Sequence, residues 1–137
     1  MVINVTQSIN DVLLVDDELT IRMVAVAAIS GLIDWNLVLV EDGTQATEIA
    51  ATQRFDLIAL DVMMPKMDGP TTLGKLREIE HLGEAPFIFM TAKEETHEVE
   101  KLSINSAVDV ISKPFDPMTF PEDLLQKVNG IQHVRRL

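Results

Sequence analysis

Five polar residues, each close behind a short apolar segment, could together carry out phosphoryl chemistry. They supply three carboxylates, one hydroxyl and one amine, on Asp16, Asp17, Asp61, Thr91 and Lys113. Carboxylates held close together repel one another, so a proton or a cation is needed to stabilise them. Mg²⁺ suits a site with few carboxylates, several waters and a phosphate. Because no strong base or histidine lies nearby in the sequence, the set favours transfer of a phosphoryl group onto a carboxylate over proton abstraction.

The amine and the hydroxyl fit the same chemistry. Lys113 can neutralise one carboxylate and contact a phosphoryl oxygen as a point charge, and Thr91 can donate a hydrogen bond to another such oxygen. Each residue taken alone has a simpler explanation, since an aspartate after a strand is more often a helix cap and Asp17 could be an N-cap. Five such residues near the ends of apolar segments favour a functional site.

The segments that carry these residues alternate between two kinds. Short apolar runs over 12–15, 37–40, 57–60, 87–90 and 108–111 are, with one exception, almost continuously apolar, which is typical of strands covered on both faces. Helices are expected after Asp17, over 44–53, from Asp68-Gly69-Pro70, over 95–105 and over 117–129, with Gly130 as a stop.

This alternation predicts an α/β fold with a five-stranded, doubly wound parallel sheet, a (βα)5 arrangement in the flavodoxin-like order 2-1-3-4-5. Ligands of such sheets bind outside the carboxyl ends of the strands. The polar residues are therefore expected to meet at one edge of the sheet. We divide the chain into an N-terminal extension (1–10), one domain (11–130) and a C-terminal tail (131–137).

Composition excludes several other classes. The chain has 137 residues, enough for one domain, with a formal net charge of −11, and such acidity disfavours binding to nucleic acid or anionic membranes. It has no cysteine, so disulfides, zinc–thiolate sites and cysteine nucleophiles are excluded. No signal peptide or membrane-spanning run is evident. The expected location is the cytoplasm.

Five stretches of the sequence resemble the receiver domain of two-component response regulators. In chain order they are VLLVDDE (12–18), VEDGTQA (40–46), FDLIALDVMMPKMDG (55–69), FIFMTA (87–92) and SKPF (112–115). The resemblance covers essentially residues 11–130. The third stretch is the most specific. The resemblance implies a signalling module that catalyses only its own phosphorylation and dephosphorylation.

The resemblance also implies roles for individual residues. Asp61 would take the phosphoryl group from a phosphohistidine on a sensor histidine kinase or a histidine phosphotransfer protein. Asp16 and Asp17 would hold Mg²⁺ together with Asp61 and the Met63 backbone carbonyl. Lys113 and Thr91 would contact the phosphoryl group, and the peptide bond before Pro114 would be cis. Phosphorylation would alter the contacts of the domain with a downstream protein target, which the sequence does not identify.

Two positions depart from the family pattern, in the segment through which many receiver domains transmit their state. Val110 stands where the family usually has an aromatic residue, and Ser106-Ala107 stands where it usually has Gly-Ala. In the family this aromatic turns inwards when the threonine moves towards the phosphoryl group. Valine is stiff about its one side-chain torsion, so we expect a weaker switch here. Pro114 and Phe115 are grouped with this switch and contact surface.

The first helix should carry an exposed apolar group beside the acidic edge. If the side chains facing the sheet are those of Ile21, Val24, Ala25, Ala28 and Leu32, then Met23, Val26 and Ala27 face outwards. A contiguous apolar group suggests a contact surface, and the resemblance to receiver domains implies that a phosphodonor helix docks there. The alternative is that the helix register is shifted by one residue.

Three rival functions are weighed against the receiver. A Mg²⁺-dependent phosphohydrolase with an aspartyl-phosphate intermediate usually has a second acid two residues after its nucleophile, where this chain has Met63. A phosphorylation-independent interaction module does not require the intact polar set. A flavin-binding flavodoxin needs a phosphate loop after the first strand, where Asp16-Asp17 would repel a phosphate.

Overall fold

Five parallel strands form the centre of the computed structural model, which describes residues 9–30, 34–82, 85–92 and 108–136, the last five of these by their backbone alone. The strands are β1 (Asp11–Val15), β2 (Asn36–Val40), β3 (Leu57–Asp61), β4 (Phe87–Ala92) and β5 (Val108–Lys113). They form one sheet in the order β2-β1-β3-β4-β5, with every pair parallel. The predicted fold class and strand order are confirmed.

Helices connect the strands and cover both faces of the sheet. They are α1 (Leu19–Ser30), α2 (Gly43–Ala50), α3 (Gly69–Arg77) and α4 (Phe120–Arg136), with a short 3₁₀ turn at Glu80–Leu82. The helix predicted over 95–105, the Ser106-Ala107 pair and Leu32 lie outside the described residues. No helix in the described part of the chain is both long enough and apolar enough to span a bilayer.

The strands contribute side chains alternately to two apolar layers, because successive residues of a strand point to opposite faces. Leu13, Ile58 and Phe87 belong to the layer covered by α2 and α3. Their neighbours Leu14 and Ala59 belong to the layer covered by α1 and α4. Burial on both faces accounts for the almost continuous apolar runs in the sequence.

Side-chain caps fix where two helices begin. The Asp42 carboxylate accepts a hydrogen bond from the Gln45 N–H at 2.8 Å, and Asp68 accepts one from the Thr71 N–H at 2.8 Å. Pro70 lies in the first turn of α3, where a missing N–H costs nothing. The start predicted for α3 is thus confirmed, while α2 ends at Ala50, before the predicted residue 53.

The beginning of α1 differs from the cap considered for Asp17. The helix starts at Leu19, and the carboxylate that binds the backbone in front of it is that of Asp16, whose Oδ1 accepts the Glu18 N–H at 2.9 Å. The side chain of Asp17 is exposed. The capping explanation of Asp17 is therefore wrong for this helix.

The predicted helix stop at Gly130 is also wrong, because α4 passes through this residue and continues to Arg136. Glycine inside a helix costs only about 1 kcal/mol relative to alanine. Full burial of one large apolar side chain contributes about 1.5–3 kcal/mol, and α4 buries several on one face. These are Phe120, Leu124, Val128 and Ile131. The segment predicted as a tail is helical up to residue 136.

Two residues of the predicted N-terminal extension, Ile9 and Asn10, pack against the sheet. Ile9 is buried in the layer under α1 and α4. The backbone N–H groups of Asn10 and Asp11 both donate to Asp56 Oδ2 at 2.9 Å. The last two residues of the predicted extension are therefore held against the sheet, and residues 1–8 lie outside the description.

We predict that Gly69→Ala destabilises the domain, whereas Gly74→Ala in the same helix does not. A Cβ at position 69 would overlap the backbone carbonyl oxygen of Asp61 and lie 2.9 Å from Val62 Cα and from Phe89 Cε1. Overpacking of this kind costs about 1–3 kcal/mol. A Cβ at position 74 has no neighbour within 4 Å, so alanine there should stabilise the helix by about 0.5–1 kcal/mol. Urea unfolding measures both, and equal free energies of unfolding for the two variants would contradict the prediction.

Candidate functional site

The polar residues predicted to meet do so at the carboxyl edge of the sheet. Asp16 and Asp17 directly follow β1, Asp61 is the last residue of β3, and Lys113 is the last residue of β5. Thr91 is next to last in β4 and is completely buried. The parallel pairing aligns Asp61 with Met90 and Thr91 with Ser112, which places these strand ends side by side.

One ammonium group connects the carboxylates of this edge. Lys113 Nζ lies 2.9 Å from Asp61 Oδ1, to which it donates a hydrogen bond, and 2.8 Å from Asp16 Oδ2. It is also 3.7 Å from Glu18 Oε1. The side chains of Asp16, Asp61 and Lys113 are 0%, 4% and 12% exposed. Two buried carboxylates therefore share a single buried cation.

The pKa values of these groups reflect this imbalance of charge. Burial raises the pKa of Asp61 to about 7 against the opposing contact with Lys113, and the charge of Asp16 adds to the rise. Burial also raises the pKa of Asp16, again against the contact with Lys113. Burial alone would lower the pKa of Lys113, but its contacts with Asp16 and Asp61 outweigh it and raise that pKa. The site is short of positive charge.

The carboxylate oxygens next to the Lys113 contacts form a set that fits a hard divalent cation. Carboxylate oxygens of Asp16, Asp17 and Glu18 all lie within 4.8 Å of one another. Asp16 Oδ2 is buried, and its contact with Lys113 is an ion pair that lacks hydrogen-bond geometry. An all-oxygen donor set with a buried, incompletely satisfied carboxylate is what Mg²⁺ binds. Glu18 was not among the predicted site residues, although its place directly after the acidic pair was a signal.

The remaining switch and contact residues fall into different environments. The Lys113–Pro114 peptide bond is cis, as the resemblance implied. Pro114 is exposed and Val110 is half-buried against the layer under α2 and α3. Phe115 is buried and stacks on Phe120, with ring centroids 3.8 Å apart and planes 13° from parallel. Its side chain packs in the core, and its part in the switch stays a prediction.

An exposed apolar group lies on α1, in the register that the sequence analysis expected. Met23 is 62% exposed, Val26 and Ala27 are exposed, and the intervening Ala25 is buried. Leu19, four residues before Met23, is 61% exposed and lies on the same stripe. Leu19 was not among the predicted residues of this group, although its four-residue spacing from Met23 was a signal. We call Leu19, Met23, Val26 and Ala27 the α1 patch.

The sequence belongs to the family of response regulator receiver domains. The family model described as the response regulator receiver domain matches residues 12–136, almost the whole chain. The fold and the acidic edge described above are those expected of this family. The chain is accordingly a receiver domain of two-component signalling. Domains of this class interact with histidine kinases or phosphotransfer proteins.

Curated relatives include longer regulators. A probable transcriptional regulator, ycf29 of Porphyra purpurea, is 41% identical over 97 residues, which cover 71% of this chain and 44% of that protein. The transcriptional regulatory protein SrrA of Staphylococcus aureus is 38% identical over 109 residues, which cover 79% of this chain and 43% of that protein. The chain spans less than half the length of these relatives.

Solved structures of similar proteins have the same fold. The receiver domain of the sensor histidine kinase PA1611 from Pseudomonas aeruginosa PAO1 is 30% identical with a TM-score of 0.75, covering 90% of this chain and 99% of that one. That structure has a magnesium ion coordinated in its active site cleft. The chemotaxis response regulator CheY4 of Vibrio cholerae is 26% identical with a TM-score of 0.77, covering 88% of this chain and 99% of that one.

We predict that Lys113→Met lowers the free energy of unfolding in EDTA by about 3 kcal/mol or more, because it leaves two buried carboxylates without their cation. The matched control is Lys127→Met. Lys127 pairs with Asp109 at 3.6 Å on the surface, with both side chains well exposed, so its loss should cost about 1 kcal/mol or less. Denaturant unfolding of both variants tests this. A Lys113→Met cost no larger than the control cost would contradict the central position given to Lys113.

Proposed function

We propose that Asp61 is the phosphoacceptor of this receiver domain, with a phosphohistidine protein as its donor. The observation that carries the proposal is the Lys113 ammonium, which contacts Asp61 at 2.9 Å and Asp16 at 2.8 Å. A carboxylate that must attack a phosphoryl group needs a fixed cation beside it, because the approaching group is itself an anion. Asp61 has that cation and lies at the strand end where ligands of this fold bind.

In the proposed transfer, a carboxylate oxygen of Asp61 attacks the donor phosphorus. The new P–O bond forms as the P–N bond to the donor imidazole breaks. The imidazole already carries a proton on its other ring nitrogen, so it takes the electrons of the P–N bond and leaves as a neutral ring. Lys113 stabilises the charge of the phosphoryl oxygens as a point charge. The hydroxyl of Thr91 is proposed to donate a hydrogen bond to one of these oxygens. Such chemistry depends on positioning and charge neutralisation, and it requires no base.

Asp16, Asp17 and Asp61 are the residues proposed to hold Mg²⁺. The resemblance to the family adds the Met63 backbone carbonyl to this set, and Glu18 supplies a further carboxylate within reach. Bound Mg²⁺ would supply positive charge that offsets the charge on the phosphoryl oxygens. The proposal is supported by the incompletely satisfied Asp16 Oδ2 and by the two carboxylates that share Lys113.

Partners of the domain are proposed from its surfaces. The donor is a sensor histidine kinase or a histidine phosphotransfer protein, and it docks on the α1 patch beside the acidic edge. The output is a change in contact with a downstream protein. The net charge of −11 argues against nucleic acid or anionic membrane as a direct partner. The cytoplasm stays our predicted location.

Asp61→Asn should abolish labelling by a small phosphodonor such as acetyl phosphate, because an amide cannot form the acyl phosphate. Labelling of the wild type should be acid-labile, sensitive to hydroxylamine and lost in EDTA. Asp68→Asn is the matched control, since asparagine also caps a helix and the fold is kept. That variant should label normally. Label that survives Asp61→Asn, or survives EDTA in the wild type, would refute the assignment.

Met23→Asp should slow transfer from the cognate donor protein and leave labelling by acetyl phosphate unchanged. Burial of an apolar side chain in a contact contributes about 1–3 kcal/mol, which the charged variant forfeits. Thr52→Asp adds the same charge at an exposed position beyond α2, where the chain has crossed to the opposite edge of the sheet. It should transfer normally. If Met23→Asp slows both reactions together, the change acts on the fold or the site, and the docking surface is wrong.

The switch at β5 is proposed to be weak, because the half-buried Val110 cannot swing between buried and exposed positions as an aromatic ring does. A ligand shifts a conformational equilibrium only by its differential interaction with the two states. Amide shifts should therefore change around Asp61 and α1 when Mg²⁺ and beryllofluoride are added, with small changes across 95–111. Changes there as large as those around Asp61 would show an intact switch and contradict this proposal.

A further inference from the structure

Arg22 connects α1 to the loop that carries the acidic pair. Its guanidinium Nη1 donates a hydrogen bond of 2.7 Å to the backbone carbonyl oxygen of Asp16. Nη2 lies 3.6 Å from Glu41 Oε1, in the segment that follows β2. The side chain of Arg22 is only 12% exposed, while that of Glu41 is 63% exposed. Arg22 is therefore largely buried, and its shortest contact is to the backbone of the acidic loop.

The loop of residues 16–18 is held by hydrogen bonds at several backbone groups. The Asp16 N–H donates to the Val40 carbonyl at 3.2 Å, and the Glu18 N–H donates to Asp16 Oδ1 at 2.9 Å. The Glu18 carbonyl accepts the N–H of Arg22 at 3.2 Å, within the first turn of α1. The Asp16 carbonyl belongs to the peptide that joins Asp16 to Asp17. Its bond to the Arg22 side chain therefore sets the plane of that peptide.

The orientation of this peptide matters because neighbouring carboxylates repel each other. Left to themselves, the side chains of Asp16 and Asp17 would separate. Asp16 is fixed by its contact with Lys113, whereas Asp17 is exposed. The plane of the peptide between them then determines the direction in which the Asp17 side chain projects. A donor that holds this peptide holds the two carboxylates in one geometry.

We propose that Arg22 is a positioning residue for the cation site. It fixes the Asp16–Asp17 peptide so that both carboxylates face the same Mg²⁺, and it touches neither the ion nor the phosphoryl group. This inference rests on the proposed function, in which Asp16 and Asp17 hold Mg²⁺. Groups that orient metal ligands commonly contribute about 10–100-fold to metal affinity.

If Arg22 acted only through its charge, the effect of its removal on Mg²⁺ affinity would have the opposite sign. Arg22 is a cation near an acidic site, and by Coulomb repulsion it should weaken the binding of Mg²⁺. Removal of its charge would then tighten binding. Positioning predicts that the same removal weakens binding. The sign of the change separates the two roles.

The experiment is a calorimetric titration of the full chain with MgCl₂ alone, at fixed ionic strength, for wild type and Arg22→Met. We expect Arg22→Met to weaken Mg²⁺ binding about 10-fold. Glu41→Gln removes the second contact of Arg22 and keeps its bond to Asp16, so its affinity should equal that of the wild type. Labelling by acetyl phosphate should need more Mg²⁺ in Arg22→Met and reach the wild-type rate at saturating Mg²⁺, which general damage to the fold would not allow.

Unchanged or tighter binding by Arg22→Met overturns the inference, as does a labelling rate that saturating Mg²⁺ fails to restore. If Arg22→Met does not fold, Arg22→Gln takes its place with the same expected sign, because its shorter neutral side chain also loses the guanidinium contact. A wild type that binds no Mg²⁺ overturns the proposed function and this inference with it. A wild type that binds Mg²⁺ with an affinity equal to that of the variant overturns the inference alone.

Discussion

The ammonium group of Lys113 is the contact on which the arrangement of the site depends. It lies within 3 Å of carboxylate oxygens from two different strand ends, those of Asp16 and Asp61. Both carboxylates are buried, and the Lys113 side chain is only 12% exposed. A buried carboxylate without a partner is strongly destabilising. A single cation offsets only part of the repulsion between two carboxylates, so the folded domain keeps an excess of negative charge at this edge. That excess supports the proposal that a divalent cation binds at this edge.

The fold supplies this contact by bringing distant residues to neighbouring positions. Parallel strands end at the same edge of the sheet. Asp61 and Lys113 therefore form a hydrogen bond although they lie 52 positions apart in the sequence. The central strands β1, β3 and β4 are buried on both faces, which fixes the position of their ends. Gly69 allows α3 to start directly against the backbone of Asp61, where a larger residue would collide. The site thus takes its geometry from packed elements and not from its loops alone.

Much of this could be predicted from the sequence, because the strand order and the polar edge follow from apolar periodicity and from residues placed just after each run. The parts that were missed have physical reasons. The helix continues past Gly130 because burial of its apolar face outweighs the cost of one glycine, a balance that local sequence does not reveal. The bond from Arg22 to the Asp16 carbonyl has no periodic signature, since any residue type offers that acceptor.

The most direct test of the excess negative charge is the free energy of unfolding of wild type and Asp61→Asn, measured by urea at pH 8 in EDTA and again with increasing MgCl₂. We expect Asp61→Asn to be the more stable protein in EDTA, because only one buried carboxylate then faces Lys113. We also expect Mg²⁺ to stabilise the wild type by about 2.7 kcal/mol at 100 times its dissociation constant, and to stabilise the variant less. A wild type that is more stable than Asp61→Asn in EDTA, and whose stability Mg²⁺ does not change, would contradict the account.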